Sequence, residues 1–360
     1  MESNLPGLRF TDSSADPASC GDVAGTQAQS YTPVVADVGG YLRVDVTATN
    51  AMGTSAPVES QAFGPVAAAV VNDPVIAAAG DIACDPASSS FNGGLGSSSS
   101  CHQRATSDLL VSVNPAAVLT LGDTAYECGS ATAFAQSFDP SWGRVKSAIR
   151  PVLGNHEYVS TGTGCTSTAS GYFAYFGAVA GDPTKGYYSY DVGSWHLIAL
   201  NSNCSRIGGC NPGQPEEQWL RADLAAHQNQ CVLAYWHQPH FSSGSHGNDD
   251  GGHNLTGAFW QALYDYRADV VLNGHDHDYE RFGPQTPAGA LDPQLGLRQF
   301  VIGTGGKSRS SLVAARPNSE IRDSSTYGVL RLTLHPGSYD WRFVLEAGKS
   351  FADSGSASCH

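Results

Sequence analysis

Positive charge is scarce in this sequence. Lys and Arg number 19 in 360 residues against 33 Asp and Glu, a formal net charge of -14 at pH 7. Charged residues of both signs make up only 14%. A nucleic-acid surface needs a basic stripe to displace counterions, so the composition argues against that class of partner. The same imbalance repels anions at long range. Any phosphate site therefore needs local positive charge, which a pair of bound metal ions would supply. Long apolar runs are also absent, and no stretch is long enough to span a bilayer. Residues 1–20 lack the apolar segment of a signal peptide, so the start is expected to be a processed or engineered end.

Nine cysteines are present, and none sits in a CxxC pair or a zinc-finger spacing. Most lie in Ser-, Gly- or Asn-rich loops, where a disulfide replaces missing core. Proximity along the chain suggests Cys84 with Cys101, Cys128 with Cys165, and Cys204 with Cys210, or Cys231 with one of these. An odd count leaves at least one thiol without a partner. Structural disulfides imply an oxidising compartment, so the chain is expected to be secreted or extracytoplasmic on the cysteines alone.

What the sequence has in plenty is glycine, 41 residues, and enough apolar content, 41%, for a sizeable core. Two textures divide it. Residues 1–68 lack helical periodicity, and 41–50 alternate apolar and polar residues as a half-buried strand does. From Asn72 onward, short apolar runs at 74–79, 117–121, 187–192, 195–201, 231–236, 270–272 and 299–302 alternate with helical stretches at 102–111, 215–226 and 256–266, the last with Thr256 as N-cap. That alternation predicts an α/β core over 69–348. A hairpin is expected around His335-Pro336-Gly337, and a C-terminal tail over 349–360.

Five short polar motifs each follow a strand-like run. They are Gly80-Asp81, Gly122-Asp123-Thr124-Ala125-Tyr126, Gly154-Asn155-His156-Glu157, His237, and Gly274-His275-Asp276-His277. In α/β sheets the carboxyl ends of strands share one crevice, so such residues can converge there. The donors are carboxylate, phenol, amide oxygen and imidazole, without thiolate, a set that suits Fe, Mn or Zn. With one carboxylate shared, seven ligands provide about four per metal and leave room for water. Taken singly, each motif reads more readily as a turn or a polar pair; the ordered set of five is what points to chemistry.

The ordered set, ending in His275-Asp276-His277-Asp278-Tyr279-Glu280-Arg281, resembles the metallophosphoesterase superfamily over residues 73 to about 345. It is similar to the purple acid phosphatase-like branch in particular. Other metallophosphoesterases have a histidine two residues after the first aspartate. Here that position is Ala83, and Tyr126 matches the tyrosine that the branch uses instead. The branch has glycine at the Ala83 position, a small departure. The resemblance implies a sandwich of two mixed β-sheets flanked by helices (α+β in some schemes), preceded by the small all-β segment. It implies a first metal held by Asp81, Tyr126 and His277, a second held by Asn155, His237 and His275, and Asp123 bridging them. A phenolate favours Fe(III) at the first site, with Fe(II), Zn(II) or Mn(II) at the second.

The implied reaction is hydrolysis of a small-molecule phosphate monoester by a metal-bound hydroxide. Asn155, His156 and His246 resemble substrate-contacting residues, and His156 or His246 would protonate the leaving group. His240 and His253 are weaker candidates, while Glu280 and Arg281 are expected to form a buried structural pair. A leaving-group pocket is expected from 160–170, 204–213 and 241–253. Gly303-Thr304-Gly305-Gly306-Lys307-Ser308 ends like a P-loop, but Val301 occupies the position of its opening glycine, so the glycines are expected to let the backbone pass the metal site. Residues 1–68 resemble part of the immunoglobulin-like repeats of secreted bacterial proteins, which implies a cell-surface or polysaccharide contact. The alternatives are a phosphodiesterase or phosphotriesterase on the same metals, and a binding module with an inactive hydrolase fold.

Overall fold

In a computed structural model that describes residues 7–10, 20–22, 31–47, 49–50, 52–67, 73–228, 230–247 and 255–360, the chain divides into two compact units, Met1–Asn72 and Asp73–His360. In the first, β1 (Gly7–Phe10), β2 (Cys20–Asp22), β3 (Leu42–Val46) and β6 (Val58–Glu59) form a sheet in the order β2-β1-β3-β6. The single strand expected over 41–50 is two. It breaks after Val46, and β4 (Thr49–Asn50) turns back onto β5 (Gly53–Thr54).

The second unit is built on two mixed sheets. The six-stranded sheet runs β19 (Ser354–Ser358), β18 (Ser338–Leu345), β17 (Gly328–His335), β7 (Val75–Ala79), β8 (Ala117–Leu121) and β9 (Ile149–Val152). The seven-stranded sheet runs β10 (Tyr188–Val192), β11 (Trp195–Ala199), β12 (Cys231–Trp236), β13 (Val270–Asn273), β15 (Arg298–Ile302), β14 (Tyr279–Phe282) and β16 (Ser319–Asp323). Each sheet has a set of parallel strands, β7-β8-β9 at one end of the first and β11-β12-β13-β15 in the middle of the second. Helices α1 (Gln103–Val113), α2 (Ala131–Ala133), α3 (Ser170–Phe176), α4 (Pro215–Ala226) and α5 (Gly257–Asp265) cover the outside.

The inner parallel strands β7, β8, β11, β12 and β13 are mostly apolar because both of their faces are covered. β12 shows how one run serves two cores. Leu233 and Tyr235 point into the core shared with residues of the other sheet. Val232, Ala234 and Trp236 point the other way, onto Leu220 and Leu224 of α4 and Phe259, Trp260 and Leu263 of α5. The two-residue period of a strand divides them. Pro215 opens α4, and Glu216 and Glu217 sit in its first turn, where acidic groups suit the helix dipole. Thr256, expected as the N-cap of α5, makes no capping bond. Its hydroxyl lies 3.4 Å from His240 Nδ1 instead.

Four disulfides form: Cys84–Cys101, Cys128–Cys165, Cys204–Cys210 and Cys231–Cys359. The first three are the pairs suggested by proximity. The fourth spans 128 residues, beyond any proximity argument, and ties the start of β12 to the residue after β19. The segment expected as a tail thus contains an edge strand paired with β18 and a covalent link to the opposite sheet.

A polar clamp joins β10, β11 and α4. His196 is buried, with Nδ1 2.7 Å from an Asp191 oxygen and Nε2 2.7 Å from an Asp223 oxygen. Burial acts to lower its pKa, but the hydrogen bonds to Asp223 and Asp191 prevail and hold it above the ordinary 6.5. A pKa raised by folding stabilises fully below the unfolded value and less as pH climbs through the folded one. Wild-type stability is therefore expected to fall as pH rises from about 6.5, and His196→Gln to lack that slope. Chemical denaturation at a series of pH values checks this, and parallel slopes in the two proteins would contradict it.

Candidate metal centre

Each polar motif leaves the carboxyl end of a buried strand. Asp81 follows β7, Asp123 follows β8 and Asn155 follows β9, all in the six-stranded sheet. His237 follows β12, while His275 and His277 follow β13, in the seven-stranded sheet. The site therefore lies where the parallel strands of both sheets end. Asp81, Asp123 and His275 exit with positive φ, 59°, 48° and 73°. Such backbone costs about 1–3 kcal/mol per residue and persists only where its surroundings enforce it. Close packing explains Gly154: a Cβ there would lie 2.0 Å from Asp123 Oδ1.

The seven expected ligands come together in two groups that share one carboxylate. Tyr126 Oη lies 2.9 Å from Asp81 Oδ1 and 3.2 Å from His277 Nε2. His277 Nε2 is 3.2 Å from Asp81 Oδ1. In the other group, His237 Nε2 lies 3.1 Å from Asn155 Oδ1 and 3.2 Å from His275 Nδ1. Asp123 Oδ2 reaches both, 3.1 Å from Tyr126 Oη and 3.3 Å from His237 Nε2. Ligand atoms of Asp123, His237 and His275 all fall within 4.8 Å of one another.

Two imidazoles are oriented through their far nitrogens. His237 Nδ1 is 2.8 Å from the Leu121 carbonyl, which keeps a proton there and directs Nε2 at the site. His277 Nδ1 is 2.7 Å from Ser308 Oγ. The segment carrying Ser308 passes close by. Gly305 N donates to the Gly80 carbonyl, Lys307 N donates to the Asp81 carbonyl, and a Cβ on Gly303 would lie 2.0 Å from the Asp276 carbonyl oxygen. The glycines of the broken P-loop pattern thus serve close backbone approach.

Without a cation, protons partly balance the buried carboxylates. Burial opposes ionisation of Asp123, but His237 and a backbone bond from His156 hold it well below the usual carboxylate range. Burial also opposes the charge on His237, yet Asp123 pushes it up to about 10. Burial and the neighbouring His237 charge push His275 down to about 4. Burial, Asp123 and Asp81 hold the Tyr126 phenol well above its ordinary value, so a cation must displace its proton before that oxygen can ligate. These lone pairs, three of them imidazole, fit borderline or hard transition metals.

Sequence reasoning passed over the groups that support the ligands. Glu157, within the GNHE motif, is fully buried and accepts four hydrogen bonds, from Asp123 N, Thr124 N, Thr124 Oγ1 and Gly154 N, at 3.0, 2.7, 2.6 and 2.7 Å. It fastens the turn after β8 to the turn after β9. Asp276 accepts from His246 N at 2.8 Å and from the Ser242 hydroxyl, which fixes the loop that carries His246. A carboxylate three residues beyond a glycine at a strand end was the available signal for Glu157.

His156 and His246 border the cluster. His156 Nδ1 is 2.7 Å from the Glu127 carbonyl, and Nε2 is 3.9 Å from Asp123 Oδ2. The His246 ring centre is 5.0 Å from that of His275. His240 is buried beside α5, its ring 5.4 Å from Trp260 and its Nε2 3.1 Å from the Pro287 carbonyl. His253 lies outside the described residues. The expected Glu280–Arg281 pair is not formed, because neighbours on a strand point to opposite faces. Glu280 accepts from Ser243 and Ser319, whereas Arg281 binds Asp353 and Glu320.

A family profile, Calcineurin-like phosphoesterase, matches residues 75–279. Purple acid phosphatase 15 of Arabidopsis thaliana is 28% identical over 226 residues, 55% of this chain and 41% of that protein. Purple acid phosphatase 22 of the same plant is 30% identical over 177 residues, 46% of this chain and 39% of that protein. The chain spans about two fifths of the length of these curated relatives. The structure of PPD1, a purple acid phosphatase isolated from yellow lupin (Lupinus luteus) seeds, matches 89% of this chain and 60% of its own with TM-score 0.63 and 17% identity, which shows the shared fold.

The Glu157 network makes a specific demand. In Glu157→Gln an amide NH2 would face backbone N–H donors, leaving one of them unpaired in a dry site. Loss of a group that orients metal ligands typically costs 10–100-fold in affinity. Metal affinity measured by competition with a chelator is expected to fall by about 10–100-fold in this variant. Unchanged affinity would contradict the role given to Glu157.

Proposed function

The chain belongs to the calcineurin-like phosphoesterase family, and on that premise we propose that it hydrolyses phosphate monoesters at a centre of two metal ions. The observation that carries this reading is the position of Asp123, whose Oδ2 lies 3.1 Å from the Tyr126 group and 3.3 Å from the His237 group. A carboxylate oxygen shared between two donor sets suits a bridging ligand. Asp81, Tyr126 and His277 would hold the first metal, Fe(III) by the preference of a phenolate; Asn155, His237 and His275 would hold the second, Fe(II), Zn(II) or Mn(II). When bound, such ions supply Lewis acidity and make water nucleophilic near neutral pH.

The other tasks fall to the chain itself. In the net reaction an oxygen of water bonds to phosphorus, the bond from phosphorus to the ester oxygen breaks, and a proton reaches the departing oxygen. His156 and His246 flank the centre and are assigned to the phosphate oxygens and to that proton. The Glu127 carbonyl orients His156 and Asp276 positions the His246 loop. The relatives named purple acid phosphatase support the monoester assignment. Four disulfides support an oxidising, extracytoplasmic location. No helix among the described residues is long and apolar enough to cross a membrane.

The test is turnover of chromogenic phosphate mono-, di- and triesters by the metal-loaded protein, with and without chelator. The monoester is expected to be fastest, chelator to abolish turnover, and Asp123→Asn to lower kcat/KM by at least about 100-fold. Faster turnover of diester or triester would move the substrate class while keeping the centre. Absence of turnover on all three would overturn the hydrolase reading in favour of a binding module.

A further inference from the structure

A cleft of about 630 Å³ opens beside the metal centre. Its wall begins at Glu127, the residue after Tyr126, and includes Cys128 and Cys165, which are bonded to each other. The link to the centre is short. The Glu127 carbonyl lies 2.7 Å from His156 Nδ1, and the opposite nitrogen of that ring lies 3.9 Å from Asp123 Oδ2. His156 thus stands between the cleft and the bridging carboxylate. The disulfide fixes the wall, so the cleft is preformed and of ordinary ligand-site volume.

Its chemistry is one-sided. Hydroxyl and amide groups come from Thr132, Thr161, Thr163 and Gln136, and carboxylates from Asp85 and Glu127. No Lys, Arg or His lines it, and no aromatic ring. The Glu127 carboxylate already pairs with Lys307, whose Nζ stands 4.3 Å over the Tyr126 ring, so that charge is partly balanced. Asp85 leaves the cleft acidic. Such a wall hydrogen-bonds a neutral polyhydroxyl group, repels a second anion, and offers little to an aromatic one.

We propose that this cleft receives the leaving group of the ester and selects uncharged, hydroxyl-rich alcohols, as in sugar or polyol monophosphates, over alcohols that carry a further phosphate or carboxylate. The proposal rests on the hydrolase reading above and adds the substrate class to it. Thr132, Thr163 and Asp85 are specificity residues, separate from the metal ligands.

The experiment compares kcat/KM for glucose 6-phosphate and glucose 1,6-bisphosphate, whose leaving groups differ by one phosphate, in the metal-loaded full chain. p-Nitrophenyl phosphate turnover reports that the centre is assembled. The wild type is expected to favour the monophosphate by about 10-fold, and Thr132→Lys to reduce that ratio by about 10-fold, since a cleft of one charge sign changes local substrate concentration by that order. Thr163→Lys, also in the lining of the cleft, is expected to act in the same direction. A wild type that prefers the bisphosphate, or a ratio unmoved in both variants while p-nitrophenyl phosphate is hydrolysed, overturns the subsite alone. No turnover of any ester, p-nitrophenyl phosphate included, overturns the hydrolase reading and the subsite with it.

Discussion

Two buried carboxylates, Asp81 and Asp123, converge with a phenol, an amide oxygen and three imidazoles at hydrogen-bond distances, and such a crowd of lone pairs is stable only around positive charge. In the protein alone a proton on His237 balances part of it, at the cost of a pKa pushed up to about 10. Cations answer the same demand with more charge. The need is acute here because the chain carries a net charge of -14 and neither Lys nor Arg is among the seven residues.

The architecture around the centre follows from holding those groups where water and chain entropy would scatter them. Five strands from two sheets end at one place, and their apolar residues are buried on both faces, so the strand ends are fixed by two cores at once. Asp81, Asp123 and His275 then leave in left-handed backbone, a cost that only a rigid frame sustains. Glu157 fastens one pair of exits and Ser308 steadies His277. The same frame places the acidic, hydroxyl-lined cleft next to His156.

Much of this was legible in the chain because the informative signals are local. An apolar run followed by Gly-Asp or Gly-His marks a strand and its exit together, and β8, β12 and α4 fall within the bounds that such runs suggest. Where the determining contact is distant, the sequence was silent. Cys231 and Cys359 are 128 residues apart. β14, β16 and β19 are short strands whose pairing comes from partners elsewhere in the sheets, and their own patterns are mixed. Glu280 and Arg281 looked like a pair because they are adjacent, which in a strand is the reason that they part. Glu157 was read as one letter of a motif, and only the fold shows that three backbone amides and a hydroxyl converge on it.

The central claim is that these seven residues form one centre for two cations joined through Asp123. Metal content per chain, by elemental analysis of protein loaded and then freed of loose metal, tests it most directly. The account predicts two transition-metal ions per wild-type chain and a loss of metal in Asp123→Asn. A wild type that retains one ion or none under the same loading, or an Asp123→Asn protein that retains two, would contradict it.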